Sequence, residues 1–198
     1  MTEAAPEPVF PDQLPARDLH LVRWNARFSD DMLSAVTSSL SELRAWMPWA
    51  NSVPTLDEMR VTLDQGDIRF GLNEDWPYVI RNEEAELVGS TGLHRRSETD
   101  VVEIGYWIRS DRTGRGYATS VARALSDAAF HYDPRIEHVE IVTHERNAAS
   151  QAVARKLGYQ VVREVPKGPQ GSVPEGNFLV WSVDRNAWPY GPATAASS

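Results

Sequence analysis

The sequence predicts an α/β domain built on a mixed sheet of about seven strands flanked by about four helices. Three observations carry this expectation. A length of 198 residues with no internal repeat or linker suits a single domain. The apolar periodicity orders the chain as strand, two helices, three strands, helix, strand, helix and two strands. Strands therefore come first in a run and then alternate with helices, which calls for a mixed sheet.

Residues 1–16 carry Pro6, Pro8, Pro11 and Pro15 and read as a flexible leader. Residues 17–184 make up the predicted domain. Leu19 to Trp24 is the first strand. Ser29 is placed as the N-cap of a helix with Asp30 and Asp31 in its first turn. Met32, Leu33, Val36, Leu40, Leu43 and Met47 then recur at helical spacing. Thr55 and Glu58 form a capping box for a second helix. Strands near Tyr78–Arg81 and Leu87–His94 flank a polar turn, and Val101–Ile108 is a further strand rich in β-branched and aromatic residues. The loop from Arg109 to Arg115 enters a helix running from about Gly116 to Phe130, with Val121, Leu125 and Ala128 as its apolar stripe. A strand at His138–Thr143 precedes a short helix, Ala148–Leu157, closed by Gly158. Strands near Tyr159–Glu164 and Phe178–Val183 complete the order, and residues 185–198 read as a mobile tail.

Composition narrows the function. The formal net charge of −8 argues against a surface that binds nucleic acid by neutralising phosphates. No apolar run approaches the roughly 20 residues that span a bilayer, so no membrane segment is predicted. The opening residues lack the basic start and apolar stretch of a secretion signal. With no cysteine, disulfides, zinc–thiolate sites and thiol nucleophiles are excluded, and a cytoplasmic location is the default expectation. His131, His138 and His144 show no metal-ligand spacing, so no metal is expected.

Two segments carry chemistry. In Val101–Thr119, VVEIGYWIRSDRTGRGYAT, a strand runs through a two-glycine loop straight into a helix. The N–H groups at a helix start are unpaired and carry partial positive charge, and glycines before it let a phosphate approach the backbone. The segment reads as an anion cradle, with Arg109, Arg112 and Arg115 adding local positive charge to an acidic chain. A Rossmann fingerprint fails, because Thr119 stands where the third glycine or alanine belongs. A P-loop fails for want of a Lys-Ser or Lys-Thr pair. The second segment, Asn147–Tyr159, NAASQAVARKLGY, reads alone as an amphipathic helix capped by Asn147.

Taken together the segments resemble the GNAT acyltransferases, and among them the N-terminal acetyltransferases that act on ribosomal proteins. The matching elements are EIGYWI, the Thr-Gly-Arg-Gly-Tyr-Ala turn, and Asn-x-x-Ser followed by Lys-Leu-Gly-Tyr. Leu43-Arg-Ala-Trp-Met-Pro-Trp49 and Leu87-Val-Gly-Ser-Thr-Gly-Leu93 match as well. The resemblance covers roughly residues 17–184.

It implies a splayed sheet with acyl-CoA, most simply acetyl-CoA, in a V-shaped opening between Val101–Ile108 and His138–Thr143. The turn Arg112, Thr113, Gly114, Arg115, Gly116, Tyr117, Ala118 and Thr119 would cradle the pyrophosphate. Thr113 departs from the family's Gln or Arg, which leaves the backbone amides as the cradle. The backbone of Tyr106, Trp107 and Ile108 would pair with the pantetheine arm, and Asn147 would hydrogen-bond it. Trp46 and Trp49 would wall the acceptor site, with His94 near its mouth. The implied reaction transfers an acyl group to a primary amine, such as a protein N-terminus.

Glu103 is the general-base candidate. Period-2 alternation puts Glu103, Gly105 and Trp107 on one strand face, and a carboxylate in a covered strand costs energy. The alternative is a partly exposed Glu paired with Arg95 or Arg96. Many family members protonate the departing thiolate with a Tyr four residues before the glycine that closes the short helix. Here that position is Ala154, and Ser150 is the nearest substitute, with capping or a CoA contact as its other role. A succinyl or other acyl group, a small-molecule or antibiotic-type amine acceptor, and a CoA-binding module without catalysis remain rival readings. Self-association into a homo-oligomer stays open.

Overall fold

The computed structural model describes residues 9–96, 98–167, 173 and 175–190. Eight strands form one sheet: β1 (Gln13–Ala16), β2 (Leu19–Arg23), β3 (Asp75–Asn82), β4 (Leu87–Arg95), β5 (Val101–Ile108), β6 (His138–His144), β7 (Gln160–Lys167) and β8 (Gly176–Asp184). Their order is β1-β2-β3-β4-β5-β6-β8-β7. Every neighbouring pair is antiparallel except β5 and β6, which run parallel. The mixed sheet is thus as expected, with one strand more.

Four helices cover the two faces: α1 (Ser29–Leu43), α2 (Leu56–Gly71), α3 (Tyr117–Tyr132) and α4 (Ala148–Lys156). Strand alternation divides the core between them. Val102, Ile104, Val139 and Ile141 face α3 and α4, packing with Val121, Leu125 and Val153. Val22, Val79 and Leu87 face α1 and α2, packing with Met32, Val36, Met59 and Leu63. The Thr55–Glu58 capping box opens α2 as expected. Gly158, at φ +85°, stands just beyond α4 where a left-handed residue ends a helix cheaply. Within the described residues, no helix is long and apolar enough to cross a membrane.

Three boundaries differ from expectation. Residues 9–16 are not a flexible leader. Phe10 is buried against Trp76 with ring centroids 4.1 Å apart, Tyr78 donates its hydroxyl to the Pro11 carbonyl, and β1 pairs with β2. The prolines do not forbid this, because β1 is an edge strand and an edge strand can forgo donors. Residues 1–8 lie outside the described residues. At the other end, Arg185–Ala187 form a short 3-10 turn and Trp188 is buried, its indole donating to Asp127. The expected tail therefore begins too early, and residues 191–198 lie outside the described residues. Finally, Ser29 is not a cap. Its hydroxyl donates back to Ala26 while Asn25 caps the preceding 3-10 turn. A serine can satisfy its own hydroxyl on a preceding carbonyl as readily as it caps a helix.

Candidate active site

The sheet opens in its middle. The parallel register of β5 and β6 runs Val101↔His138, Val102↔Val139 and Glu103↔Glu140, and goes no further. β4 stays on β5 as far as Gly89↔Ile108, and β8 stays on β6 as far as His144↔Phe178. Each parting strand therefore keeps its outer partner and loses its inner one. The inner edge of residues 104–108 is left with backbone groups that an extended ligand can pair, as an added strand would.

Beyond β5 lies the glycine turn. Gly114 and Gly116 have φ of +76° and +81°, in the left-handed region that favours glycine. A Cβ at either would meet nothing within 4 Å, so the space beside the backbone is clear. Gly116 is the N-cap of the 16-residue α3, and no side chain among the described residues caps that helix. The first amides of α3 are thus free to bind an anion.

The three arginines of the loop do not act together. Arg109 bonds Glu86, the Leu87 carbonyl and Asp111. Arg112 forks onto Glu86 and also reaches Asp111. Their hydrogen bonds hold the Glu86 carboxyl below its usual range, Arg112 contributing most. Both guanidiniums tie the turn to the start of β4 through Glu86. Arg115 is exposed and has no ion pair among the described residues. Thr113 donates its hydroxyl to the Ser110 carbonyl. Tyr117 and Ala118 pack against the core behind the turn, and Thr119 follows them in the first turn of α3.

On the α3 and α4 side, Asn147 caps α4 by accepting from the Ser150 amide at 3.1 Å. Its carbonyl oxygen is therefore engaged, and its amide nitrogen is what it can offer a ligand. The Ser150 hydroxyl lies 2.9 Å from the hydroxyl of Tyr106, which comes from β5. Burial pushes the Tyr106 phenol up to about 12, with the Ser150 bond opposing the shift. The phenol is accordingly a protonated donor at neutral pH. The sequence points to Tyr106 only through its backbone. Its hydroxyl was missed because the partner lies 44 residues away, although strand alternation already puts Tyr106 on the face that α4 covers. Ala154 is fully buried in α4 and offers no hydroxyl.

The other face of the opening lies under the segment after α1. The Trp46 ring lies 5.8 Å from that of His144 on β6, and the Trp49 ring 6.3 Å from that of Trp107 on β5. The segment thus reaches both arms of the V, while Trp49 remains 52% exposed. His144 accepts the Arg146 amide at Nδ1, and its Nε2 is buried with no hydrogen-bond partner among the described residues.

A polar row crosses the sheet on this same face. Asp75 stands opposite His94, His94 opposite Glu103, and Glu103 opposite Glu140. Glu103 pairs with Arg96 at 2.8 Å, the alternative weighed from the sequence. Asp75 approaches His94 Nδ1 at 3.4 Å and also pairs with Arg69. Burial works against the Asp75 charge, yet His94 and Arg69 hold its carboxyl below the usual range. Glu140 pairs with Arg163. Burial, aided by the charge of Glu103, holds the Glu140 carboxyl above its usual range against that pairing.

A family profile described as an acetyltransferase (GNAT) domain matches residues 18–160. The Bacillus subtilis (strain 168) protein YdaF, named as a candidate ribosomal N-acetyltransferase, is 22% identical over 170 residues, covering 81% of this chain and 87% of its own. Among solved structures, Mycobacterium smegmatis RimJ in complex with CoA-disulfide superposes with a TM-score of 0.82 at 19% identity, covering 95% of this chain and 94% of that one. RimL, a ribosomal L7/L12 alpha-N-protein acetyltransferase in complex with coenzyme A, superposes with a TM-score of 0.79 at 19% identity, covering 88% and 99%. Such structural likeness establishes the fold, and the profile, spanning more than half of the chain, establishes the family: the chain belongs to the GNAT acetyltransferases.

Proposed function

We propose that the protein transfers an acetyl group from acetyl-CoA to the α-amine of a protein N-terminus, with ribosomal proteins as the acceptor class. The observation that carries this reading is the two-sided opening between β5 and β6. On one side it has an anion cradle at α3 and a free strand edge. On the other it is spanned by Trp46 and Trp49. The names of YdaF, a candidate ribosomal N-acetyltransferase, and RimL, a ribosomal L7/L12 alpha-N-protein acetyltransferase, support the acceptor class.

The cosubstrate supplies an activated thioester. The chain's own residues do the rest. Glycine amides and the α3 N-terminus hold the pyrophosphate, and the β5 edge orients the pantetheine. Trp46 and Trp49 exclude water and hold an apolar, cationic acceptor terminus by its aliphatic part. The Tyr106 hydroxyl, hydrogen-bonded to Ser150, protonates the leaving sulfur. Two groups on the acceptor face can take the amine's proton: Glu103, the candidate from the strand pattern, and His94.

The direct test incubates the protein with acetyl-CoA and short peptides that have free or blocked N-termini. One acetyl group should be added on the α-amine, by intact mass and fragmentation. Modification only of a lysine side chain or of a small amine would overturn the acceptor assignment. Trp49→Ala should raise the acceptor KM roughly tenfold, the loss of about 1.4 kcal/mol of contact. The affinity for acetyl-CoA should stay within a factor of two or so, since that exposed ring carries little of the fold. An equal loss for both ligands would assign Trp49 to folding. Tyr106→Phe should lower kcat by roughly 10²-fold, in the range of a positioned acid, with acetyl-CoA binding retained. An unchanged kcat would leave the sulfur to take its proton from water.

A further inference from the structure

We propose that His94, oriented by Asp75, accepts the proton of the acceptor amine, and that a bare pair of glycines aims its ring at the opening. The inference rests on the acetyl-transfer reading above and names the group that serves it. Gly92 and Gly105 stand directly opposite each other on β4 and β5, one step from the His94–Glu103 pair toward the parting of β5 and β6. A Cβ at Gly105 would lie 3.2 Å from His94 Nε2, and one at Gly92 would lie 3.3 Å from its Cε1. The imidazole therefore lies close across a floor that the two glycines leave clear, and it leans toward the end where the strands separate. Its side chain is 32% exposed, so an acceptor can reach it.

Orientation comes from the charges around the ring. Asp75 of β3 stands 3.4 Å from Nδ1, backed by Arg69 of α2. A carboxylate there favours the tautomer with its proton on Nδ1 and its lone pair on Nε2. Glu103 of β5 lies beside His94 in the row, with its carboxylate held by Arg96. Glu140 of β6, paired with Arg163, comes next. Glu103 is thus tied into an ion pair, while His94 Nε2 lies over the glycine floor at the start of the opening. Its lone pair takes one proton from the ammonium, and the freed amine nitrogen forms a bond to the thioester carbon. As the carbon–sulfur bond breaks, the sulfur leaves with its electron pair and takes a proton from the Tyr106 hydroxyl. The new amide nitrogen gives up its second proton, which restores that hydroxyl, and His94 returns its own proton to solvent.

The test compares His94→Gln, His94→Ala, Asp75→Asn and Glu103→Gln with the parent protein. Transfer from acetyl-CoA to an N-terminal peptide is followed across pH, and a thermal shift with acetyl-CoA checks that each variant is folded. His94→Gln should lower kcat roughly 10²-fold near neutral pH. The loss should shrink as pH rises, because a peptide α-amine titrates near about 8 and then arrives neutral. His94→Ala should regain rate in proportion to added imidazole, which fits the space over the glycines. Asp75→Asn, a positioning change, should lower kcat about tenfold with KM nearly constant. Glu103→Gln should cost less than His94→Gln, with neither imidazole rescue nor recovery at high pH. A parent that acetylates no peptide α-amine overturns both readings. Transfer by the parent with His94→Gln unchanged across pH, or with Glu103→Gln showing the larger and pH-sensitive loss, overturns the role of His94 alone.

Discussion

Gly116→Val is expected to abolish stabilisation by acetyl-CoA. A ligand that binds only the folded state at a hundredfold excess over its dissociation constant adds about 2.7 kcal/mol. In a chain of this size that raises Tm by roughly 5–10 °C. At φ +81° a valine is strained by about 1–2 kcal/mol, so the variant should melt lower without ligand. Its branched side chain would also fill the clear space beside the first amides of α3. The decisive quantity is therefore the difference between melting with and without acetyl-CoA, measured on the same variant. That difference should vanish in Gly116→Val and persist in Trp49→Ala. A full ligand shift in Gly116→Val would place the pyrophosphate elsewhere.

The second large effect concerns stability. Asp133 is fully buried at the end of α3, and its carboxylate holds Arg95 and Arg135. Its backbone carbonyl accepts from Arg185, so it joins the sheet, α3 and the turn after β8. Burial alone would favour the neutral acid, but the bonds from Arg135 and Arg95 outweigh it and hold the carboxyl below its usual range. A group depressed in this way stabilises the fold above its unfolded pKa, about 4, and that stabilisation is lost as pH falls through the lower folded value. Asp133→Asn should cost about 3 kcal/mol at neutral pH and lower Tm by roughly 6–12 °C. The cost sits at the low end for a broken buried pair because both guanidiniums keep contact with solvent. The gap between parent and variant should close as the pH drops below about 4. A gap that is the same at pH 3 and pH 7 would show that shape, not charge, makes Asp133 matter.

The residues that were legible in the sequence are those whose role follows from neighbours in the chain. The capping box at Thr55 and Glu58, the left-handed Gly158 and the glycine turn before α3 are local features, and each stands as expected. The strand faces were also legible, because period-2 alternation is a property of one strand. Glu103, Gly105 and Trp107 share a face apart from the buried Val102 and Ile104. The limits of the fold were less legible. Proline in β1 counts against a strand only where the backbone donor is needed, and edge position is not written in the sequence. Trp188 gave no periodic signal, yet it packs on Phe130 and Tyr159.

The sequence by itself determined the fold class, the position of the glycine turn before α3 and the family resemblance, because helix starts, turns and strand faces depend on residues within a few positions of each other. Only the tertiary structure decided which charges are spent and which are available. Glu86 captures Arg109 and Arg112 from the turn between β3 and β4. Arg96 captures Glu103. Tyr106 finds Ser150 across 44 residues, and Asp75 finds His94 across a strand pair. The reason is physical: whether a polar group pairs within the protein or stays free for a ligand is set by distances of a few ångströms, and strand register and helix docking fix those distances between segments that the sequence holds far apart.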